Sequence, residues 1–214
     1  MTVDSFVDLG VRRTSCATYS GHSQTVAAKA SRVAGMIRRA FPSSACALRW
    51  PAFQSYVMPI IMYLSQAWHP KLKRDVLLLE KVQQRFTKSI RELRGLTYVD
   101  RLRELQALTV ANRLVYADMV FVHKCLYGKI NVDISDLGLV PLASYTRTNS
   151  CRLAQRHSNC KSSHLFCIRA ACKWNKLPPA LVSCRSLSMF NILLHNNHNF
   201  VFISVIKDTL LYPK

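Results

Sequence analysis

Phosphoryl-transfer chemistry with two metal ions needs carboxylates that converge on cations about 3.5–4 Å apart. The chain has few candidates. Asp4 and Asp8 stand near the N-terminus with no partner close in sequence. Asp75, Glu80, Glu92, Asp100 and Glu104 are interleaved with Lys and Arg at helical spacing. That pattern predicts i,i+4 ion pairs on an exposed helix rather than a metal cluster. No Gly-rich phosphate loop, nucleophile elbow or His-Glu-x-x-His pair occurs. Cys151, His157, Cys160, His164, Cys167 and Cys172 have the residue types of a zinc site. Their spacing never makes the paired Cys-x2–4-Cys turn that sets two thiolates on one tetrahedral ion. They are expected to be scattered thiols and imidazoles, with no metal.

The basic residues carry a stronger signal. Arg74, Lys81, Arg85 and Lys88 recur at i, i+7, i+11 and i+14, so a helix would place them in one stripe. Such a stripe suits contacts with backbone phosphates, which position a nucleic acid without reading its sequence. The competing reading is a solvated face of a bundle helix. A second set, Arg147, Arg152, Arg156 and Lys173, lies in a stretch from Leu137 to Lys207 that contains no Asp or Glu. Tyr145 and Trp174 stand among these bases and could stack on nucleobases. A tryptophan in such a place is more often a core anchor.

The bulk numbers agree with a polyanionic partner. The chain has 214 residues, 30 Lys+Arg against 11 Asp+Glu, a formal charge of +19, and is 50% hydrophobic. A disordered basic tail would not be half apolar. A compact protein carrying this charge repels itself unless it meets nucleic acid or another polyanion. The first residues have acids early and no apolar core, so no signal peptide is read there. The eight cysteines form no Cys-x-x-Cys pair. A nuclear or cytoplasmic protein, not secreted and with reduced thiols, is expected. A membrane span needs ~20 apolar residues. The run from Tyr56 to Trp68 is too short, and the one from Phe190 to Ile206 is interrupted by His195 to Asn199.

The elements that would position these residues are mostly helical. Residues 3–15 read as a short strand interrupted at Gly10. Val26, Ala30, Val33, Ile37 and Phe41 define one face of a helix over 22–41, stopped by Pro42. Residues 44–68 read as a helix apolar on nearly all sides, opened at Pro51 and kinked at Pro59. Leu72, Val76, Leu79, Phe86, Ile90 and Leu93, with Val82 on the flank, predict a helix over 71–94 between Pro70 and Gly95. Further helices are predicted over 98–108 with Thr97 as cap, 110–128, and 166–177, the last closed by Pro178-Pro179. The last twenty residues give no clear pattern.

In order, these pieces resemble the region downstream of the palm in reverse transcriptases of non-LTR retrotransposons (LINE-type, jockey-like). The similarity runs from Val3 to Phe190. It rests on Asp8-Leu9-Gly10-Val11; His22, Lys29 and Arg38-Arg39-Ala40-Phe41; Tyr56-Val57-Met58-Pro59 with Tyr63 and Trp68-His69-Pro70; Leu79-Glu80-Lys81-Val82-Gln83-Gln84-Arg85-Phe86-Thr87-Lys88; Leu93 to Tyr98 with Arg101-Leu102; Leu105, Leu108 and Arg113; His123 to Gly128; and Arg169 with Trp174-Asn175-Lys176-Leu177-Pro178. The resemblance implies a palm-strand remnant over 1–19, a helical thumb over 20–128, a basic connection region over 129–190 and a divergent tail over 191–214. It also implies RNA and DNA as partners, held by their backbones. The family's Phe/Tyr-x-Asp-Asp motif, which holds its catalytic Mg²⁺, does not occur in these residues, and Thr146-Arg147-Thr148 replaces the usual Thr-Arg-Gly.

The expectation is a mainly α fold, an antiparallel thumb-like bundle followed by a less regular basic region. The expected role is to grip an RNA–DNA duplex as part of an RNA-directed DNA polymerase, without a cofactor and catalytically incomplete alone. A stand-alone basic nucleic-acid-binding module, or a structural protein dimerising through the 72–93 seam, are the other readings.

Overall fold

A computed structural model describes residues 5–14, 19–42, 46–142, 152–154 and 165–196. The fold is mainly helical, as its periodicities predict, with one two-stranded sheet among the described residues. It divides into two compact units, Met1–Arg113 and Leu114–Lys214.

The first unit opens on a hairpin of β1 (Ser5–Asp8) and β2 (Val11–Thr14), paired antiparallel with Asp8 opposite Val11. Gly10 is therefore a turn residue, not an interruption within one strand. Leu9 and Gly10 both have positive φ, +45° and +79°, the pattern of a two-residue primed turn. The Tyr63 hydroxyl donates to the Leu9 carbonyl at 3.3 Å and holds the turn.

Helix α1 (Ser20–Ala40) buries Val26, Ala27, Ala30, Ala34 and Ile37. Its alanines let a neighbour approach closely. Phe41 falls beyond the helix and is exposed, contrary to the expected seam.

The single helix expected over 44–68 is three pieces: α2 (Cys46–Tyr56), α3 (Met58–Met62) and α4 (Ser65–Trp68). Pro51 lies inside α2 and does not open it. Pro59 falls in the first turn of α3, where its missing N–H costs nothing, so the break comes at Val57. Leu64, at φ +48°, makes the second break. The Trp68 indole donates to the Tyr63 carbonyl at 2.7 Å and staples the bend. Phe53, Val57, Ile61 and Trp68 are buried, while Leu48, Tyr56 and Tyr63 are exposed, so the segment is not covered on all sides.

Helix α5 (Lys73–Lys88) packs on α1. Leu79, Val82 and Phe86 fill the core, with Phe86 stacked on Phe53 at 4.5 Å and Phe53 on Trp50 at 5.4 Å. The helix stops at Lys88, and Ile90 and Leu93 reach the core from the following turn and 3-10 helix. Helix α6 (Tyr98–Glu104) is capped by Thr97, whose hydroxyl accepts from the Asp100 N–H.

Two acids of α5 overturn the expected exposed ion pairs. Asp75 is 4% and Glu80 2% exposed. Asp75 accepts from the Ser20 hydroxyl at 2.6 Å. Glu80 accepts from the Tyr98 hydroxyl and from the Ala111 N–H. Gln83 Nε2 donates to the Leu108 carbonyl and the Tyr98 oxygen. Asp100 does keep an exposed partner, Arg103 at 2.8 Å, at i,i+3 rather than the expected i,i+4 spacing.

Burial pushes the Glu80 carboxyl above its ordinary value of 4.5, more than its hydrogen bonds pull it back. The folded state then holds that proton more tightly than the unfolded chain does. Its contribution to stability is complete below the unfolded value and is lost as pH rises through the folded one. Glutamine at this position does not titrate. The cost of Glu80→Gln in urea midpoint is therefore expected to be largest near pH 4.5 and to shrink toward neutrality. A cost that grows with pH would reverse the assignment.

The second unit is built on α7 (Val110–Leu126), which begins in the last residues of the first unit. Val115, Met119 and Val122 form its core with Leu139, Leu153, Ala170, Trp174, Phe190 and Leu194. Helices α8 (Phe166–Trp174), α9 (Pro179–Val182) and α10 (Leu187–Asn196) complete it. Pro179 opens α9, so the Pro-Pro pair separates two helices rather than only closing one. Helix α10 enters the stretch in which the sequence gives no clear pattern. The Asn175 side chain accepts from the Leu153 N–H and donates to its carbonyl, pairing like a strand. The buried His123 donates from Nε2 to the Cys184 carbonyl at 2.7 Å and stacks on Phe190 at 4.2 Å.

Candidate nucleic-acid interface

Arg74, Lys81, Arg85 and Lys88 all lie exposed on the outward side of α5. At 1.5 Å per residue the stripe runs about 21 Å along the axis. Asp75 and Glu80 are the only carboxylates of this helix, and both point into the unit. The outward face, which also carries Lys73, therefore bears cations alone. Arg74 approaches Asp75 at 3.8 Å, but its side chain is 76% exposed, and such a pair binds it weakly.

The inward hydrogen bonds of Asp75, Glu80 and Gln83 set the rotation of α5 about its axis. Each would lose its partner if the helix turned, so they hold the stripe outward. The sequence pattern contains part of this. Asp75, Leu79, Val82 and Phe86 share the i, i+4, i+7, i+11 spacing of one face. The usual preference of acids for solvent predicts the other side for Asp75.

The remaining predicted contacts divide differently. Arg152 is exposed and Lys173 half-buried, both in the second unit. Arg147 and Arg156 lie outside the described residues, as do Tyr145, Cys151, His157, Cys160 and His164. Trp174 is fully buried and serves the core rather than a stacking surface. Among the described residues no group of His, Cys, Asp and Glu could hold a metal ion, and no helix is long and apolar enough to cross a membrane.

One feature of the first unit has no counterpart in the sequence pattern. A cavity of about 430 Å³ lies between the hairpin turn, α1 and α3, lined by Gly10, His22, Lys29, Pro59 and Tyr63 among others. His22 is buried and accepts the Arg12 N–H at Nδ1. Burial, then the charge of Arg12, lowers its pKa, so the neutral ring carries its proton on Nε2. Residues distant in the chain meet here, which spacing alone does not reveal.

The chain matches no protein-family profile, no curated protein and no solved structure.

Proposed function

We propose that the chain grips the sugar-phosphate backbone of an RNA–DNA duplex through the outward face of α5. In this reading it serves as the thumb and C-terminal part of a non-LTR retrotransposon reverse transcriptase, the family its motifs resemble. One observation carries the gripping role: both acids of α5 are turned into the core, leaving an exposed helix face with five cations and no carboxylate. The formal charge of +19 supports the same partner. Of the apolar seam, Leu79, Val82, Phe86, Ile90 and Leu93 are buried inside the unit and only its first residues, Leu72 and Val76, are not, which favours this reading over a dimerising helix. Polymerisation would need the carboxylates of the Asp-Asp motif, which these residues do not contain.

The test is filter binding of the full chain to an RNA–DNA duplex across a salt series. Affinity is expected to fall steeply with salt. Arg85→Glu with Lys88→Glu is expected to weaken binding on the order of 30-fold near 0.1 M salt and to lower the salt slope by about two. Arg152→Glu should weaken it less. Equal losses, or binding insensitive to salt, would reject the α5 face as the contact.

A further inference from the structure

A cleft of about 200 Å³ opens between α1 and α5. Ser31, Gly35 and Arg38 line it from α1, and Val82, Arg85 and Phe86 from α5. Gly35 contributes no side chain to this wall, and a Cβ there would meet no atom of α5 within 4 Å. A third guanidinium is close, because Arg39 Nη1 lies 3.6 Å from where a Cβ of Gly35 would stand. The lining contains no carboxylate, and among the described residues no ion pair neutralises Arg38 or Arg85.

The surroundings add positive charge. Arg49 is 4% exposed and lies over the Phe86 ring at 5.6 Å. It donates to the carbonyl and hydroxyl of Ser89, yet its Nε has no hydrogen-bond partner. Burial lowers its pKa, and the charge of Arg38 is the next cause; Glu92 offsets this in part, and Arg94 opposes Glu92. Guanidiniums gathered around one carboxylate repel each other, and an anion placed among them relieves that repulsion. The planar fork of arginine matches the oxygens of a phosphate group.

We infer that this cleft is a phosphate site, taking one phosphodiester group of a nucleic-acid backbone between Arg38 and Arg85, with the Ser31 hydroxyl as a further donor. The inference rests on the nucleic-acid reading above. Arg85 belongs both to the cleft and to the outward stripe of α5, so one strand can run along the helix and seat a phosphate here. Free phosphate shares this chemistry but would make no use of the stripe.

The experiment uses the full chain and a short RNA–DNA duplex over a salt series. Gly35→Leu fills the cleft and keeps every charge. Arg38→Gln removes one guanidinium, and Lys129→Gln removes the same charge elsewhere. Gly35→Leu and Arg38→Gln are each expected to weaken binding by about 5–10-fold and to lower the salt slope by about one. Lys129→Gln should leave both near the wild-type values. If thermal melting finds Gly35→Leu unfolded, Arg38→Gln against Lys129→Gln decides. Wild-type binding in Gly35→Leu and Arg38→Gln, with binding lost in Arg74→Glu/Lys81→Glu, would overturn the cleft and leave the α5 grip standing. Loss of inorganic-phosphate binding in Gly35→Leu with the duplex slope intact would overturn the backbone contact in favour of a free ion. Absence of salt-dependent binding in the wild type would remove the nucleic-acid reading itself, and the cleft with it.

Discussion

Alanine at Phe86 is expected to lower the stability of the first unit by about 3–5 kcal/mol. Phe86 is 1% exposed and has both an aromatic stack and a cation against its ring. Its ring stacks on Phe53 at 4.5 Å, Phe53 stacks on Trp50, and the Arg49 guanidinium lies over it at 5.6 Å. Truncation removes the transfer free energy of the ring and leaves a cavity between α1, α2 and α5. It also takes the π face from a buried arginine whose Nε is already unpartnered, and that loss is worth about 0.5–2 kcal/mol. The measurement is urea unfolding of the full chain followed by tryptophan fluorescence in a Trp174→Phe background, so that Trp50 and Trp68 report the first unit. The midpoint should fall with little change in slope, the sign of lost stability rather than altered unfolding. Leu77, half-buried on the same helix, gives the comparison, and Leu77→Ala should cost clearly less. A Phe86→Ala loss below about 1 kcal/mol would mean that the aromatic stack does not hold the unit together.

The second large effect lies in the other unit. Arg169 donates from Nε to Asp118 at 2.8 Å and from Nη2 to its other oxygen at 3.2 Å. Their side chains are 12% and 3% exposed. Burial raises the Asp118 pKa, and the hydrogen bond and charge of Arg169 only partly offset it. Taking the carboxylate out of water therefore costs more than its partner returns. Such a pair is a poor source of net stability but an expensive one to break. Asp118→Ala leaves Arg169 charged with its main partner gone, and a loss of about 3–5 kcal/mol is expected. Replacing both, with Asp118→Leu and Arg169→Met, should recover most of it, because well-packed apolar residues remove the desolvation cost. Thermal and urea melts of the single and double variants close the cycle. A double variant no more stable than Asp118→Ala would show that the pair contributes more than geometry and charge account for.

The raised pKa of Asp118 gives folding a pH signature. The stability tied to its protonated carboxyl is complete below the ordinary carboxylate value and is lost as pH rises through the folded one, where the charged pair with Arg169 takes its place. Glu80 behaves the same way in the first unit. Both carboxylates are thus held by the fold against their own preference for water, and each does a positional job. Glu80 joins α5 to the Tyr98 hydroxyl and the start of α7, and Asp118 joins α7 to α8.

Helix existence was legible because burial on one side imposes a 3.6-residue period on the chain. The faces of α1 and α5, the Thr97 cap and the core role of Trp174 follow from that period, from residue type and from volume. The alignment of Arg74, Lys81, Arg85 and Lys88 follows too, since spacing alone fixes which residues share a side. Boundaries were less legible. In the sequence Pro59 predicts a kink within one helix, whereas it opens a new one, and the left-handed Leu64 has no residue-type signal at all.

The sequence by itself therefore determined a mainly helical, strongly basic chain with one cationic helix side. Periodicity and net charge are local or additive properties, and a sequence states them in full. Only the tertiary structure decided that the acids of α5 turn inward, because their partners Ser20, Tyr98 and Ala111 come from other elements. It alone brought Arg38 beside Arg85, because a cleft between two helices depends on how closely their small residues let them pack. Hydrogen-bond satisfaction and close approach are pairwise and long-range, so no spacing rule within one segment contains them.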